Sequence, residues 1–557
     1  MKQPVPFLSF VICCLALFGP SPCGAAQPAA PAANVVVLKR LLLADTEAKA
    51  AAMKDPGKGS LIVFEDLPVF DTKEFRDKMT PFIGQPISNA LIRKMAPVIS
   101  TYVREKDLLT VNIAIPKQNA DNGVLRLALR IGRYKDIVVR GNRWFSAKLI
   151  EESLGVKPGD EIRISKLDQA ISWINTNPFR YTKAVINNRT GDPTEADLII
   201  AVADTAPFRL VGTYDNSGVA VLGENRYTAA FQWGNVLGLG HQLTYQYSRS
   251  DIPRYFQAHS LDYRIPLPWH HVIQIDGAYA TLAPTFGDGH FTERGSNIIG
   301  DVHYIIPVTK GEWSMEYSFG VDFKRTNNNL EFGGFSVFGT KVDTLQANLG
   351  ATVVHHDSLG GWSVNLQANL SPGNWTPYQS EAVYQKVRTD SNPRYIYATL
   401  GIQRVTSLGG GWQDVFRFNG QTASTNLQGS EQMSIGGAET VRGYEERIYS
   451  ADVGFYANNE LQTPVITAKA PGLPAFMRTG GTIQVRGLAF VDCGDVKYLH
   501  RQPSDIALDP MLSAGLGVSC TFSKYMSASF DYGWRIRKIR APEPGAGRGD
   551  IRISVTY

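Results

Sequence analysis

The stretch that decides the fold spans residues 431–460 and reads EQMSIGGAETVRGYEERIYSADVGFYANNE, with Val441-Arg442-Gly443-Tyr444 at its centre. Alternating apolar and polar residues flank it on both sides, which is the pattern of β-strands with two unlike faces. Asp492 follows further along the chain. If this stretch is a loop inside a β-barrel, Arg442 needs a carboxylate partner, because an unpaired charge is costly where water is confined.

Composition and charge narrow the class of protein. The 557-residue chain has a formal net charge of +5 and 19% charged residues, so no broad basic surface indicates nucleic-acid binding. Its 52 glycines, 23 Tyr, 26 Phe and 9 Trp suit a β-rich chain with many turns and interfacial aromatic residues. Downstream of the N-terminus, no run of about twenty apolar residues would span a bilayer as a helix. A membrane β-barrel needs no such run.

The N-terminal residues predict export followed by a linker. Residues 1–26 combine a weakly basic start, an apolar core and the small residues Gly24-Ala25-Ala26, which is the pattern of a secretory signal. A short membrane anchor is the alternative. Residues 27–59 open Ala/Pro-rich and contain one short apolar run at 35–43. We predict a linker there with one marginal element, or a plug for the pore.

Two cysteines, Cys493 and Cys520, lie outside the predicted signal. Both fall in predicted strands with their side chains toward lipid. If these strands form one hairpin, the two positions are offset by roughly 30 Å at about 3.3 Å per residue, far beyond the reach of a disulfide. We therefore predict two free, buried thiols that pack as small apolar groups.

Two similar units follow, at residues 60–133 and 134–205. Each is predicted to run strand, helix, helix, strand, strand. In the first unit, Ser88 is a predicted helix N-cap before apolar residues at helical spacing. In the second, Pro178 follows the last predicted helix. The alternative is that these units are two generic small α+β domains.

From residue 206 to 557 the chain alternates in polarity between turns, which predicts about sixteen antiparallel strands. Short turns alternate with longer loops, and the loop at 421–453 contains Arg442. Near the C-terminus, one predicted strand face carries Met526, Ala528, Phe530, Tyr532 and Trp534. The other face carries Ser527, Ser529, Asp531, Gly533 and Arg535. A soluble barrel or sandwich alternates in the same way, but a sheet in lipid must close, since open edges leave backbone groups unpaired.

Several of these features resemble one family. The repeated unit after a signal resembles tandem POTRA domains. The stretches 115–125 and Asn177-Pro178-Phe179-Arg180, together with the VRGY loop, resemble patterns of the outer-membrane transporters of two-partner secretion. This family includes the haemolysin and filamentous-haemagglutinin secretion/activation proteins. The resemblance extends over residues 60–557.

The same resemblance assigns roles to single residues. The strand segment with Gly487, Phe490, Asp492 and Gly494 resembles the family's strand that receives the loop arginine. The resemblance implies that Arg442 pairs with Asp492 and holds the loop in the pore; a solvated arginine is the alternative. The terminal aromatic residue, Tyr557, resembles the C-terminal signal read by the outer-membrane assembly machinery.

The resemblance implies α+β periplasmic POTRA domains followed by a transmembrane antiparallel β-barrel in the bacterial outer membrane. Its partner would be a secreted client, often a large β-helical adhesin, toxin or haemolysin, which it recognises unfolded and passes through the barrel. Outer-membrane lipids, the barrel-assembly machinery and periplasmic chaperones are further expected partners. We expect no cofactor, metal, nucleic acid or catalytic activity. A barrel-assembly factor and a passive porin or adhesin are the alternatives.

Some residues allow a plainer interpretation. Residues 177–180 either belong to a client-binding surface or stop a helix, with Pro178 ending it and Phe179 packing. His270-His271 and His355-His356 lie near predicted turns. They are predicted to be solvated, since no further ligands follow at metal spacing.

Overall fold

The chain divides into two compact units, residues 1–132 and 133–557. The predicted signal at residues 1–26 lies outside the described residues. Within the part of the chain described, no helix is both long and apolar enough to cross a membrane. The computed structural model describes residues 36–187, 194–283, 285–286, 291–332, 335–469, 482–503, 505–541 and 545–557.

The first unit contains a four-stranded sheet in the order β2-β1-β4-β3. Its elements are β1 (Arg40–Ala44), α1 (Glu47–Ala52), β2 (Ile62–Glu65), α2 (Lys73–Met79), α3 (Asn89–Glu105), β3 (Val111–Ala114) and β4 (Val124–Ile131). Ser88 caps α3 by accepting a hydrogen bond from the backbone N–H of Leu91, as the sequence predicts. The apolar face of α3, including Met95 and Ile99, packs in one core with side chains of β1 and β4.

The prediction of a linker or plug at residues 27–59 is wrong for the part that the structure describes. Strand β1 lies at the centre of the sheet, parallel to both neighbours, with Leu42 opposite Val63 and Arg126. Leu41 and Leu43 face the main core, while Leu42 packs in a second cluster with Ala50 of α1. A strand covered on both faces reads as a continuous apolar run, so it lacks the alternation that would identify it in sequence.

The second unit begins with a smaller α+β domain. Its sheet has the order β5-β7-β6, with β5 parallel and β6 antiparallel to β7. The elements are β5 (Arg133–Arg140), α4 (Ala147–Leu154), α5 (Ile164–Ile174), β6 (Arg180–Asn187) and β7 (Glu195–Asp204). This is the predicted order of strand, helix, helix, strand and strand.

A closed antiparallel barrel follows, in which the last strand pairs with the first. It has sixteen strands when two short continuations, β13 and β23, are counted with the strands they extend, and this confirms the predicted barrel. The elements are β8 (Phe208–Asp215), β9 (Arg226–Val236), β10 (His241–Ser250), β11 (Phe256–Pro266), β12 (Val272–Leu282), β13 (Thr285–Phe286), β14 (Phe291–Lys310), β15 (Trp313–Phe332), β16 (Phe335–Asp357), β17 (Gly360–Pro372), α6 (Glu381–Val387), β18 (Arg394–Gly409), β19 (Trp412–Ala423), β20 (Met433–Ile435), β21 (Tyr449–Ala451), β22 (Val453–Gln462), β23 (Ile466–Lys469), β24 (Thr482–Lys497), β25 (Met511–Phe522), β26 (Met526–Arg535) and β27 (Gly547–Thr556).

Burial alternates along the barrel strands as the sequence predicts. On β24, Val491 is 52% exposed whereas its neighbour Asp492 is fully buried. Large apolar side chains such as Leu516 and Phe530 lie on the exposed outer face. A soluble protein would bury these residues, so the exposed apolar surface fits contact with lipid.

The prediction that the two cysteines form no disulfide is confirmed, whereas the prediction that they are buried is wrong, because both are only partly covered. Cys493 lies opposite Leu512 and Cys520 lies opposite Val485 along the pairing of β24 with β25. Both thiols are free.

The central position of β1 gives a test. We expect Leu42→Ala to lower the free energy of unfolding of the first unit by about 2–5 kcal/mol, because it opens a cavity between sheet and helix. The measurement is protease resistance of the purified protein across a urea series. Lys54→Ala, at an exposed site just after α1, is the control. Equal resistance of the two variants would contradict a structural role for this segment.

Candidate functional site

The long loop between β19 and β22 folds back on itself and reaches the inner barrel wall. We call residues 424–452 the pore loop. Within it, β20 and β21 form a two-stranded hairpin in which Ser434 pairs with Ser450. The loop tip is buried, with Val441 and Tyr444 fully covered. Its contacts are with strands β22, β24, β25 and β26, so the tip lies against the inward face of the barrel wall.

Arg442 at the loop tip pairs with Asp492 of β24. The guanidinium Nε and Nη2 donate to the two carboxylate oxygens at 2.8 and 2.9 Å, which is a two-pronged contact. The backbone N–H of Arg442 also donates to Asp492, at 3.1 Å. Arg442 is only 4% exposed. The backbone contact fixes the position of the loop, while the guanidinium neutralises a carboxylate that is buried in the wall.

Two more carboxylates and an aromatic ring complete the surroundings of Arg442. Its Nη1 donates to Glu460 of β22 at 2.8 Å and lies 3.8 Å from a carboxylate oxygen of Asp531 on β26. The guanidinium carbon is 3.5 Å from the ring centre of Phe490, in the geometry of a cation–π contact. Glu460 also accepts from Arg417, at 3.2 Å. Arg442 therefore links three strands of the wall.

Glycines make room for the loop tip. Gly443 has a φ of +91°, and a Cβ there would lie 2.7 Å from the carbonyl oxygen of Gly533 on β26. A Cβ on Gly533 would in turn lie 2.6 Å from the nitrogen of Gly443. Only a pair of glycines permits this backbone approach. On β24, Gly494 serves the same purpose, since a Cβ there would lie 3.0 Å from a methyl group of Val441.

Tyr444 anchors the tip on its other side. Its hydroxyl lies 2.9 Å from the carbonyl oxygen of Leu512 and 2.5 Å from that of Arg537, and it accepts the N–H of Leu512 at 3.1 Å. These contacts are with strand β25 and with the segment that follows β26. The predicted strand residue Gly487 does not belong to this site; its N–H donates to the hydroxyl of Thr463.

The sequence pointed to Arg442, Asp492 and Phe490 as site residues. It did not point to Glu460, although Glu460 is the last residue of the stretch 431–460 that contains Arg442. Alternation already placed Asp531 and Gly533 on the face opposite the apolar residues. What alternation does not supply is the register between strands. In the structure Glu460 pairs with Phe490, and Gly515 pairs with both Phe490 and Gly533.

The residues at 177–180 do not form an open surface. Asn177, Phe179 and Arg180 are 2%, 4% and 9% exposed, so the prediction that they bind a client is wrong. The Asn177 amide donates to the carbonyl of Gly234 on β9 at 2.6 Å. The ring of Phe179 occupies the space that a Cβ on Gly234 would need. The other interpretation, a helix stop with a packing phenylalanine, fits better.

These residues belong to the junction between the second α+β domain and the barrel. Burial lowers the pKa of Arg180 to about 10, and its Nε donates to the carbonyl of Ile174. The prediction that His270 is solvated is wrong: its ring stacks on Trp173 and its Nε2 donates to the carbonyl of Ser153 at 2.9 Å. The domain is thus attached to two short turns of the barrel.

Tyr557 is 84% exposed, and its backbone N–H donates to the carbonyl of Leu210 on β8. It lies at the seam where β27 meets β8. Its role as an assembly signal stays a prediction.

Comparisons with known proteins agree with this architecture. Residues 194–520 match the family described as haemolysin secretion/activation protein ShlB/FhaC/HecB. An outer membrane transporter CdiB of Dickeya dadantii is 22% identical over 510 residues, covering 88% of this chain and 87% of that protein. The heme/hemopexin transporter protein HuxB of Haemophilus influenzae is 21% identical over 427 residues, covering 70% and 69%. The solved structure of CdiB from Escherichia coli superposes with a TM-score of 0.73 at 16% identity, covering 96% of this chain and 93% of that one.

The lipid-facing barrel, the loop held in its lumen and the N-terminal POTRA domains define an outer-membrane protein transporter. The chain belongs to the ShlB/FhaC/HecB family of haemolysin secretion/activation proteins. It resides in the outer membrane with its POTRA domains in the periplasm, and it is the transporter of a two-partner secretion pair, whose other member is a secreted protein.

Reversing the charge at either end of the Arg442–Asp492 pair tests the site. We expect Arg442→Asp or Asp492→Arg to release the loop tip, since breaking a buried pair typically costs about 3–5 kcal/mol. The double exchange should restore the contact only in part, because Glu460 and Asp531 would then face a carboxylate at position 442. The measurement is loop cleavage by protease in purified protein. Equal cleavage in all three variants would contradict the pairing.

Gly443→Ala should displace the tip without changing any charge. The positive φ and the contact with Gly533 together predict a cost of about 1–3 kcal/mol. The same protease assay measures it. Gly429→Ala lies in the same loop, where a Cβ meets open space, and should behave like the unchanged protein. Protection of Gly443→Ala equal to that of the control would exclude the close approach.

Proposed function

We propose that the POTRA domains bind the secreted partner while it is unfolded, and that the partner then passes through the barrel after the pore loop has moved. The contact between Arg442 and Asp492 carries this proposal. It joins a loop to the lumen wall through hydrogen bonds and ion pairs, which water or a passing chain can replace. The contact therefore gates the pore and has no catalytic part.

The barrel size supports passage of a polypeptide. Barrels of sixteen strands enclose an aqueous channel when nothing fills it. Here the loop tip fills part of that space, with Val441, Arg442 and Tyr444 buried against the wall. A chain that crosses the lumen needs the space that the tip occupies. Displacement of the loop is consequently part of transport.

The second POTRA domain offers an edge for an extended client. Strand β6 lies at the edge of its sheet, and its outer face exposes Tyr181 and Val185, at 51% and 49%. An unfolded chain that adds to such an edge gains main-chain hydrogen bonds with little demand on its sequence. This surface replaces residues 177–180 as the candidate client site.

Further partners follow from the barrel itself. The exposed apolar face, including Val491 and Leu516, requires outer-membrane lipids around it. Such a surface needs periplasmic chaperones before insertion, and the terminal Tyr557 offers a signal for the barrel-assembly machinery. Folding of the client outside the cell would bias its movement outward.

Deleting the gene tests the function. We expect the secreted partner to accumulate inside the cell and to disappear from the culture medium, and the full chain should restore release. Immunoblotting of both fractions measures this. Normal release of the partner from the deletion strain would contradict the proposal.

The edge strand gives a finer test. The double variant Tyr181→Ala/Val185→Ala should reduce partner release several-fold, because the client loses apolar contacts at β6. Its barrel should still migrate faster unheated than heated on a semi-native gel, which shows that it is folded. Trp144→Ala removes an exposed aromatic residue of the same domain outside this edge and is the control. Equal release by both variants would remove β6 as the client site.

A further inference from the structure

A second buried charge holds the pore loop far from its tip. Glu431, at the root of the loop, has a side chain with no exposed area. Its two carboxylate oxygens lie 3.0 and 3.1 Å from Nζ of Lys324 on β15. The Tyr397 hydroxyl on β18 donates to it at 2.7 Å, and Gln346 on β16 donates at 3.3 Å. The backbone carbonyl of Glu431 accepts from Gln421 of β19.

These partners belong to a different part of the wall from Asp492. Strand β24 is the sixth strand after β15 in the order around the barrel, when the short continuation β23 is not counted separately. The loop is therefore tied at its root to β15, β16 and β18, and at its tip to β22, β24 and β26. The two sets of contacts share no side chain.

Burial makes this contact more than a surface ion pair. Exposed pairs contribute little, whereas a carboxylate removed from water must be fully paired and hydrogen-bonded. The Glu431 carboxylate accepts hydrogen bonds from Lys324, Tyr397 and Gln346. The side chain of Gln346 in turn accepts a hydrogen bond from the Tyr395 hydroxyl at 2.9 Å. Three side chains from three strands thus converge on the carboxylate of one loop residue.

A polar cavity of about 490 Å³ adjoins the contact, and its lining includes Lys324, Glu431, Asp301 and Asp322. When the ion pair opens, water in this cavity can hydrate both charges. Separation is then far less costly than it would be in a dry core. The arrangement suits a contact that must break and form again.

We propose that Glu431 and Lys324 form a second tether of the pore loop, independent of Arg442, and that both tethers must open before the lumen is clear. This inference rests on the proposed gating by the loop. Glu431 is a positioning residue: it fixes the loop root to a different part of the wall from the tip. Release of Arg442 alone moves the tip and leaves the root in the lumen.

Conductance of the purified full chain in planar bilayers, without any client, tests the second tether. We expect Glu431→Gln to raise the fraction of time in the open state by about tenfold. Weakening a hydrogen bond to a charged group typically shifts an equilibrium constant by about that factor. The exchanged pair, Lys324→Glu with Glu431→Lys, should return the open fraction toward that of the unchanged protein. Glu439→Gln breaks an exposed ion pair between the same loop and Arg552 and should have no effect.

Independence is tested in an Arg442→Gln background, where Glu431→Gln should raise the open fraction by the same factor. Three results would each overturn the proposal: unchanged conductance in Glu431→Gln, no recovery in the exchanged pair, or no added effect in Arg442→Gln. Faster migration unheated than heated reports that each barrel is folded. If the Glu431→Gln barrel does not fold, Tyr397→Phe is the substitute variant, because it removes one hydrogen bond to the same carboxylate. It should raise the open fraction by less than tenfold. An unchanged open fraction in Tyr397→Phe would overturn the proposal.

The recording uses no client, so it separates this inference from the proposed function. A deletion strain that releases the partner normally would disprove the transport role and leave the conductance result unaffected. Conversely, unchanged conductance in the tether variants with normal transport would disprove the second tether alone.

Discussion

A guanidinium buried inside a barrel is the constraint on which the lumen of this protein depends. Arg442 has almost no exposed area, so its charge must be met by the wall. Asp492 and Glu460 accept its hydrogen bonds, and Phe490 lies against its face. These groups come from adjacent strands, so the strand register and the path of the loop depend on each other.

The contact between loop and wall is close but not apolar throughout. Gly443 and Gly533 let two backbones approach where any side chain would separate them. Around this approach, the tip is held by carboxylates, carbonyl groups and the Tyr444 hydroxyl. Val441 and Tyr444 add apolar packing, in a buried cluster that includes Val496 of β24 and Met511 of β25. Polar and apolar contacts together therefore fix the loop tip on the wall.

The junction between the second POTRA domain and the barrel has a different character. Asn177 and Phe179 are buried against Gly234, and His270 stacks on Trp173 from another turn. Contacts from two turns resist rotation of the domain relative to the barrel. The residues at 177–180 therefore serve attachment of the domain to the barrel. A motif that resembles a family pattern need not lie at the client surface.

Alternation of apolar and polar side chains by itself determined the strands and their approximate number, and it placed Asp531 and Gly533 on the face opposite the apolar residues. It failed at β1, where a strand covered on both faces shows no alternation, and at His270, where the partner is more than ninety positions away in sequence. Only the tertiary structure decided which groups surround Arg442 and which anchor Glu431. Strand register and loop path depend on contacts between residues distant in the chain, and a local pattern of polarity contains no information about those contacts.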